Sequence, residues 1–215
     1  TKAGLDNLEK EGFLPLDAAI NAGSADINNP YVFHCGDLMY DNTIYYGDLA
    51  ETKADLLAQH GIEKGNYVLS TIHRPQNTDD IDVLLGILTS LNDISESENL
   101  QVVLPLHPRT ENVLKNTSDV RLERVRNNPN FKIIEPVGFL EMILLEKHSR
   151  IIMTDSGGVQ KEAFFMKKPS VILRPETEWT EIVEHGCGVL AGSNPEKIRA
   201  GYNKYKSAEA IEYPS

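Results

Sequence analysis

The chain has 215 residues, of which 40% are hydrophobic and 25% charged, so it can bury a real core and is neither disordered nor a disulfide-stapled miniprotein. Its formal net charge of −11 disfavours a general nucleic-acid binder, because an acidic surface repels phosphate backbones. The two cysteines, Cys35 and Cys187, lie far apart and indicate reduced intracellular thiols. Without a membrane-length apolar run or a signal peptide, the sequence predicts a soluble cytoplasmic protein.

The first 30 residues differ from the rest of the chain. A short helix is predicted from Leu5 to Lys10, and a stretch rich in Gly, Ser, Asn and Pro follows, which is typical of a linker. We therefore predict a linker region at residues 1–30 and one compact domain at residues 31–215. Because the chain starts abruptly at Thr1, without Met, we expect a piece of a longer protein.

Six short apolar runs in the domain have the composition of β-strands, and amphipathic segments lie between them. The runs do not alternate polar with apolar residues, as expected for strands buried on both faces of a parallel sheet. Together they predict an α/β fold with one doubly wound, Rossmann-like parallel sheet. The predicted strands are Tyr31 to His34, Tyr67 to Ile72, Gln101 to Leu104, Phe131 to Ile134, Ile151 to Thr154 and Ser170 to Leu173. The predicted helices run from Asp41 to His60, Asp79 to Leu91, Val159 to Met166 and Asn194 to Tyr205.

The strongest candidate site follows the fifth run, because ligands bind beyond the carboxyl ends of parallel strands. There Ser156, Gly157 and Gly158 lead directly into a helix. Adjacent glycines let a ligand approach the backbone, and the first N–H groups of a helix attract anions. The turn therefore predicts a phosphate or diphosphate site, and the Glu162 carboxylate, one turn later, suits the hydroxyls of a ribose. A turn that only packs helix against strand, with Glu162 solvated, would have the same sequence.

Two other strand ends carry basic residues. His73 and Arg74 follow the second run and could hold the charge of a phosphate, and His73 could also act as an acid or base near neutral pH. His107 and Arg109 follow the third run and could line the same cleft. Each pair, considered alone, also fits a purely structural role at the edge of the sheet.

The last junction begins at Arg174 and includes the single tryptophan, Trp179, which could form a wall against a base or a sugar or simply start a helix. Metal binding is poorly supported, since the six histidines form no H-E-x-x-H motif. A D-x-D sequence, Asp80 to Asp82, lies within a predicted helix and is interpreted as solvated charge. Neither G-x-G-x-x-G nor a P-loop motif occurs.

Five motifs in order resemble the non-hydrolysing UDP-N-acetylglucosamine 2-epimerases of bacteria and archaea, and the resemblance spans residues 1–215. The motifs lie at residues 36–41, 71–79, 106–109, 154–163 and 174–179. The resemblance implies a GT-B enzyme with two Rossmann-like domains and a nucleotide-sugar between them, of which this chain matches the second domain. It also implies the reaction, inversion of C2 of UDP-GlcNAc by elimination and re-addition of UDP, without metal or redox cofactor.

The resemblance also implies roles for individual residues. Ser156, Gly157 and Gly158 would hold the diphosphate, Glu162 the ribose, and His73 the phosphate region as the catalytic candidate in this half. The further substrate-binding candidates are Arg74, Gln160, Arg109, Met142 and Arg174; Met142 and Val137 occupy the positions that contact uracil. The implied partners are a UDP-sugar, a preceding domain of the same chain, and a second copy in a homodimer of the full-length enzyme, but neither nucleic acid nor a membrane.

The chain departs from the family pattern at two positions and leaves alternatives open. Gln76 stands where the family usually has Glu, and Trp179 where some members have Arg, although relatives acting on acidic diacetamido sugars share Thr-Glu-Trp. The catalytic carboxylates of the family lie in the half that is absent here, so this chain alone is expected to be inactive. The alternatives are a GT-B glycosyltransferase donor domain, an epimerase of acidic UDP-diacetamido sugars and a non-catalytic UDP-sugar sensor.

Overall fold

The computed structural model describes residues 2–15, 30–207 and 211–214, so residues 16–29 of the predicted linker region lie outside the described residues. The chain forms two compact units, Thr1–Asp41 and Asn42–Ser215. The first unit contains helix α1 (Lys2–Lys10) and two short parallel strands, β1 (Leu14–Pro15) and β2 (Tyr31–Val32). The domain boundary expected near residue 30 stays a prediction.

The second unit is built on a six-stranded, fully parallel sheet, which confirms the predicted fold class. Its strands are β3 (Tyr67–Thr71), β4 (Gln101–Pro105), β5 (Phe131–Ile134), β6 (Ile151–Thr154), β7 (Ser170–Ile172) and β8 (Gly188–Leu190). The order β5-β4-β3-β6-β7-β8 is that of a Rossmann sheet, and it reverses direction between β3 and β6. The helices Ile81–Glu98 and Gly157–Phe165, which lie beyond these two strands, cover opposite faces of the sheet, and the crevice at such a reversal is where these sheets bind ligands.

One predicted strand of this sheet is wrong. The run from Tyr31 to His34 is extended only at Tyr31–Val32 and pairs with Leu14–Pro15, and its Phe33 side chain is 62% exposed. A run this exposed lacks the two covering layers of a central parallel strand. The sixth place in the sheet belongs instead to β8, whose three residues include a glycine and give little hydrophobic signal.

The described helices after α1 are α2 (Leu38–Leu49), α3 (Asp55–Gln59), α4 (Pro75–Thr78), α5 (Ile81–Glu98), α6 (Pro108–Lys115), α7 (Val120–Asn127), α8 (Phe139–His148), α9 (Gly157–Phe165), α10 (Thr180–Glu184) and α11 (Pro195–Lys206). The predicted helices begin and end within three residues of their predicted limits, except that the helix predicted to end at Leu91 continues to Glu98, and α4, α6, α7, α8 and α10 are not among the predicted helices. The predicted helix from Asp41 to His60 is divided by a 3₁₀ turn, Ala50–Lys53, and stops at Gly61, whose φ of +61° suits a helix end. Asp80 caps α5 by accepting from the Asp82 N–H at 2.9 Å.

The hydrophobic core lies on both faces of the sheet. Successive residues of β3 point to opposite sides, so Val68 packs in one cluster while Tyr67 and Leu69 pack in the other. Helices α5, α7 and α11 cover the first face, and α3, α8 and α9 cover the second. This double coverage explains the unbroken apolar runs of the sequence. None of the described helices is both long and apolar enough to cross a membrane.

Candidate functional site

The two central strands bring the two strongest sequence candidates to the same edge of the sheet. Thr71 pairs with Thr154 in register, and their hydroxyl oxygens lie 2.5 Å apart. His73 and Ser156, two residues beyond these threonines, therefore leave the sheet side by side. Both line an open cavity of about 290 Å³ at the strand-order reversal, together with Val137 of the loop after β5.

Asp155 is the organising residue of this edge. Its side chain is fully buried and accepts hydrogen bonds from the backbone N–H groups of His73, at 3.0 Å, and Arg74, at 2.9 Å. The amide of Asn77 donates to the same carboxylate at 3.0 Å and to the carbonyl of Leu173 at 2.9 Å. A buried charge with several donors is stable in place, so Asp155 fixes the loop after β3 against the end of β6.

The His73 ring is held between a carboxylate and a second imidazole. Its Nδ1 atom lies 3.3 Å from Oδ1 of Asp155, and the ring stacks on that of His107 with centroids 5.0 Å apart. Burial lowers the pKa of His73; Asp155 raises it, and His107 and Arg74 lower it further. The net effect is a lowered pKa, which favours a neutral ring at neutral pH. A proton on Nδ1, facing Asp155, leaves Nε2 free to accept one.

Helix α9 presents its first N–H groups at the same edge. Ser156 is its N-cap, and the N–H groups of Gly157 and Gly158 have no acceptor within the helix. A Cβ added at Gly158 would have only the Ser156 Oγ atom nearby, at 3.9 Å, so the space above this residue is open. The geometry therefore provides an accessible backbone and a positive helix end, the arrangement that binds phosphate groups.

The loop after β7 folds over Gly157. The Trp179 indole Nε1–H donates to the Gly157 carbonyl at 2.8 Å, and the Lys161 ammonium lies 4.3 Å from the Trp179 ring centroid. Arg174 forms two hydrogen bonds of 2.8 Å with the Glu178 carboxylate. These contacts fix the loop at the edge of the crevice, and the predicted role of Trp179 as a wall against a base or sugar stays a prediction.

Three other predicted binding residues have different surroundings. Met142 lines the cavity. Gln160 is fully buried, and its Oε1 atom accepts from the Thr177 hydroxyl at 2.6 Å, so it anchors the loop after β7. Arg109 lies outside the cavity lining, where it donates to the Thr78 hydroxyl at 2.8 Å and pairs with Asp79. Their contacts with a ligand stay predictions.

Glu162, the predicted ribose residue, is half-buried on α9 beside a second carboxyl group. That group belongs to Glu146 of α8. Burial raises the pKa of both residues, most strongly that of Glu146, whose side chain is fully enclosed.

Sequence reasoning missed Asp155, Asn77 and Glu146. Asp155 could have been found from the sequence. It stands between the end of a buried strand and the glycines that start a helix, a position from which a carboxylate can reach the neighbouring loop. Asn77 lies in the same motif as His73, three residues from Arg74. Glu146 gave no recognisable signal, since it follows an apolar stretch of α8 like an ordinary surface residue.

Known proteins with similar sequences belong to the family that the motifs resemble. The sequence profile of the UDP-N-acetylglucosamine 2-epimerase family matches residues 7–214. A UDP-N-acetylglucosamine 2-epimerase homolog of Methanococcus maripaludis is 41% identical over 206 residues, which are 94% of this chain and 56% of that protein. The UDP-2,3-diacetamido-2,3-dideoxy-D-glucuronate 2-epimerase of Pseudomonas aeruginosa is 39% identical over 198 residues, or 92% of this chain and 49% of that one. The chain spans about half the length of the curated relatives it matches.

Solved structures give the same result. The structure of UDP-GlcNAc 2-epimerase from Methanocaldococcus jannaschii is similar to this chain with a TM-score of 0.77 and 32% identity, covering 94% of this chain and 56% of that one. The same enzyme in complex with UDP-GlcNAc and UDP has a TM-score of 0.74 and 32% identity, over 93% and 54% of the two chains.

Proposed function

Because the chain belongs to the UDP-N-acetylglucosamine 2-epimerase family, we propose that it is the nucleotide-binding half of an isomerase that inverts C2 of UDP-GlcNAc. The observation that carries the proposal is the meeting of His73 and the start of α9 in one crevice. The proposed full-length enzyme has a GT-B arrangement, in which a preceding domain supplies the other wall of the cleft. It is a cytoplasmic homodimer in this proposal.

The diphosphate is assigned to the start of α9. The N–H groups of Gly157 and Gly158 point outward from the helix end, and the Ser156 hydroxyl lies beside them. Arg74 adds a positive charge, and its buried Nε atom has no hydrogen-bond partner among the described residues. A buried guanidinium N–H without an acceptor favours an anionic ligand here, even though the whole chain is acidic.

The uridine is assigned to the neighbouring part of the cavity. Val137 and Met142 provide apolar surface for the base. The carboxylate of Glu162 can accept hydrogen bonds from the ribose hydroxyls, as a half-buried acceptor one turn beyond the diphosphate site.

The chemical contribution of this half is to the leaving group. When the bond between the anomeric carbon and UDP breaks, negative charge grows on the departing phosphate. The α9 dipole, the free N–H groups and Arg74 stabilise that charge in place. Nε2 of neutral His73 can accept a proton from a phosphate oxygen of UDP as UDP adds back to the sugar, and the protonated ring can return that proton to the phosphate when UDP departs. Removal and return of the C2 proton are assigned to the preceding domain.

A second substrate is favoured by one observation. The Pseudomonas aeruginosa relative at 39% identity is named for an acidic diacetamido sugar nucleotide. The uridine diphosphate site described above would serve either sugar, because the sugar itself extends toward the other wall of the cleft.

The full-length polypeptide should be incubated with UDP-GlcNAc, and in parallel with UDP-2,3-diacetamido-2,3-dideoxyglucuronate, while NMR follows the C2 epimer. Epimerisation of UDP-GlcNAc supports the proposal, and epimerisation of the acidic sugar alone reassigns the substrate. Sugar transfer to an added acceptor without epimerisation would indicate a glycosyltransferase. Binding without either reaction would indicate a sensor.

A further inference from the structure

Glu146 is a fully buried carboxyl group that the proposed mechanism does not use. It lies on α8, on the face packed against α9, with no exposed surface. No N–H or hydroxyl group in the described part of the chain donates to either of its carboxyl oxygens. The nearby Tyr67 hydroxyl donates instead to the Leu145 carbonyl at 2.5 Å.

The neighbour of Glu146 is another carboxyl group, that of Glu162. Two neighbouring ionised carboxylates repel each other, and a buried carboxylate without a hydrogen-bond donor is strongly destabilised, so the pair is stable only if it holds a proton. The proton belongs on Glu146, because Glu146 is fully enclosed whereas Glu162 keeps some contact with solvent. This placement of the proton agrees with the pKa of Glu146, which burial and then the charge of Glu162 raise well above its ordinary value.

We propose that Glu146 is a neutral carboxylic acid that donates a hydrogen bond to Glu162 and thereby positions that carboxylate for the ribose of the nucleotide. This inference rests on the proposed uridine diphosphate site. A carboxylate offers about four acceptor positions. One bond from Glu146 fixes its rotamer and leaves acceptor positions for the two ribose hydroxyls. The same bond keeps Glu162 ionised despite its burial, because it stabilises the charged form.

The test compares how strongly each protein requires the ribose hydroxyls. UDP and 2′,3′-dideoxy-UDP are titrated by calorimetry into the 215-residue chain and two variants, Glu146→Gln and Glu146→Leu. Gln keeps a neutral donor, whereas Leu has none. We expect the unmodified chain and Glu146→Gln to bind UDP about tenfold more tightly than the dideoxy analogue, the scale of a hydrogen bond to a charged group. Glu146→Leu should bind both ligands with similar, weak affinity.

A double-mutant cycle separates positioning from general packing. In the Glu162→Gln background, Glu146→Leu should cause no further loss of UDP affinity if it acts only through Glu162. An additional loss there, or an unchanged preference for UDP in Glu146→Leu alone, would overturn the inference. Loss of the preference in Glu146→Gln would overturn it as well, since a neutral donor would then not suffice.

A spectroscopic measurement covers the case in which the Leu variant does not fold. The infrared difference spectrum between the unmodified chain and Glu146→Gln at neutral pH should contain the carbonyl stretch of a protonated carboxyl. Its absence would mean that Glu146 is ionised and would overturn the inference without any ligand. If the folded, unmodified chain binds no UDP while that band is present, the proposed nucleotide site is wrong, but Glu146 is still shown to be protonated.

Discussion

The Nδ1 atom of His73 lies 3.3 Å from a carboxylate oxygen of Asp155, a residue 82 positions later in the sequence. The same carboxylate accepts from the backbone N–H groups of His73 and Arg74. One buried charge therefore sets both the ring orientation of His73 and the path of the loop that carries it. It also joins the two central strands at the point where the sheet order reverses.

Replacement of Asp155 by Asn should lower the pKa of His73 still further. The Asp155 charge raises that pKa against burial and the neighbouring His107 and Arg74, so its removal leaves only lowering influences. The variant should also lose about 1–3 kcal/mol of stability through poorer pairing of the buried N–H groups. NMR titration of the His73 ring protons and urea unfolding measure the two effects.

The matched control for this variant is Asp79→Asn. Asp79 is an aspartate at the end of α4, whose side chain is 64% exposed and pairs with Arg109 at the surface. The Asp79→Asn substitution should leave both the His73 titration and the unfolding midpoint nearly unchanged. A His73 pKa that is the same in the Asp155→Asn variant as in the unmodified chain would refute the role assigned to this carboxylate.

A side chain at Gly158 should block UDP binding without unfolding the protein. The added group has room in the folded chain, where its nearest neighbour is Ser156 Oγ at 3.9 Å, but it would project toward the space assigned to the diphosphate. We expect Gly158→Val to abolish UDP binding in calorimetry while the melting temperature changes by a few degrees. The control is Gly86→Val in α5, which also has room and should keep UDP affinity. Unchanged binding in Gly158→Val would mean that the turn is only structural.

The central part of the fold was predictable because its signals are local. Strands buried on both faces give short apolar runs without polar alternation, and β3, β4 and β6 all have them. Parallel strands end at one edge, so His73 and Ser156 were expected at the same edge, but the pairing of β3 with β6, which makes them neighbours, could not be predicted from the order of elements. The two glycines after β6 likewise predicted a helix start whose backbone is accessible to a ligand.

The remaining features depend on contacts between distant residues. Strand β8 is defined by its pairing with β7 and not by its own three residues. The run at Tyr31 has the composition of a strand but lacks the covering layers. Apolar composition alone does not distinguish a strand of the central sheet from a short exposed segment. Glu146 becomes unusual only because α8 and α9 pack together and enclose it.

Strand β8 also gives a stability prediction, at Gly188. A Cβ there would lie 2.9 Å from Ile182 Cγ2 and 3.1 Å from Ser170 Oγ, so Gly188→Ala should cost about 1–3 kcal/mol by overpacking. Gly86→Ala makes the same chemical change in the middle of α5, where nothing lies within 4 Å, and should stabilise by about 0.5–1 kcal/mol. Urea unfolding compares the two. Equal effects would contradict the close packing of β8.

The buried proton on Glu146 should make stability depend on pH in a defined direction. The folded-state pKa is raised above the ordinary value of 4.5, so the contribution of this group is full below about pH 4.5 and is lost as the pH rises toward the folded pKa. Gln does not titrate. Glu146→Gln should therefore gain stability relative to the unmodified chain as the pH rises above about 4.5.

Urea unfolding at several pH values measures this difference. Glu184→Gln, at an exposed position on α10, is the matched control and should show no such growing gap. A difference between Glu146→Gln and the unmodified chain that stays constant with pH would mean that Glu146 has the same proton affinity in both states.

The last prediction concerns the division of binding and chemistry between the two halves. The 215-residue chain should bind UDP weakly and should not exchange the C2 proton of UDP-GlcNAc. Weak binding is expected because one wall of a cleft leaves much of the ligand in contact with water. Exchange is not expected because each positioned acid or base contributes about 10²–10⁴ to the rate, and those acting at C2 are assigned to the preceding domain.

Deuterium incorporation at C2 in D₂O is the sensitive measurement, since it records proton removal even when no epimer is released. The full-length polypeptide in the same buffer is the positive control. His73 faces the region assigned to the phosphate and should not replace a base at C2, so His73→Asn should leave the background rate of the isolated chain unaltered. If the isolated chain incorporates deuterium as fast as the full-length protein, the proton-transfer groups lie in this half and the assignment of roles is wrong.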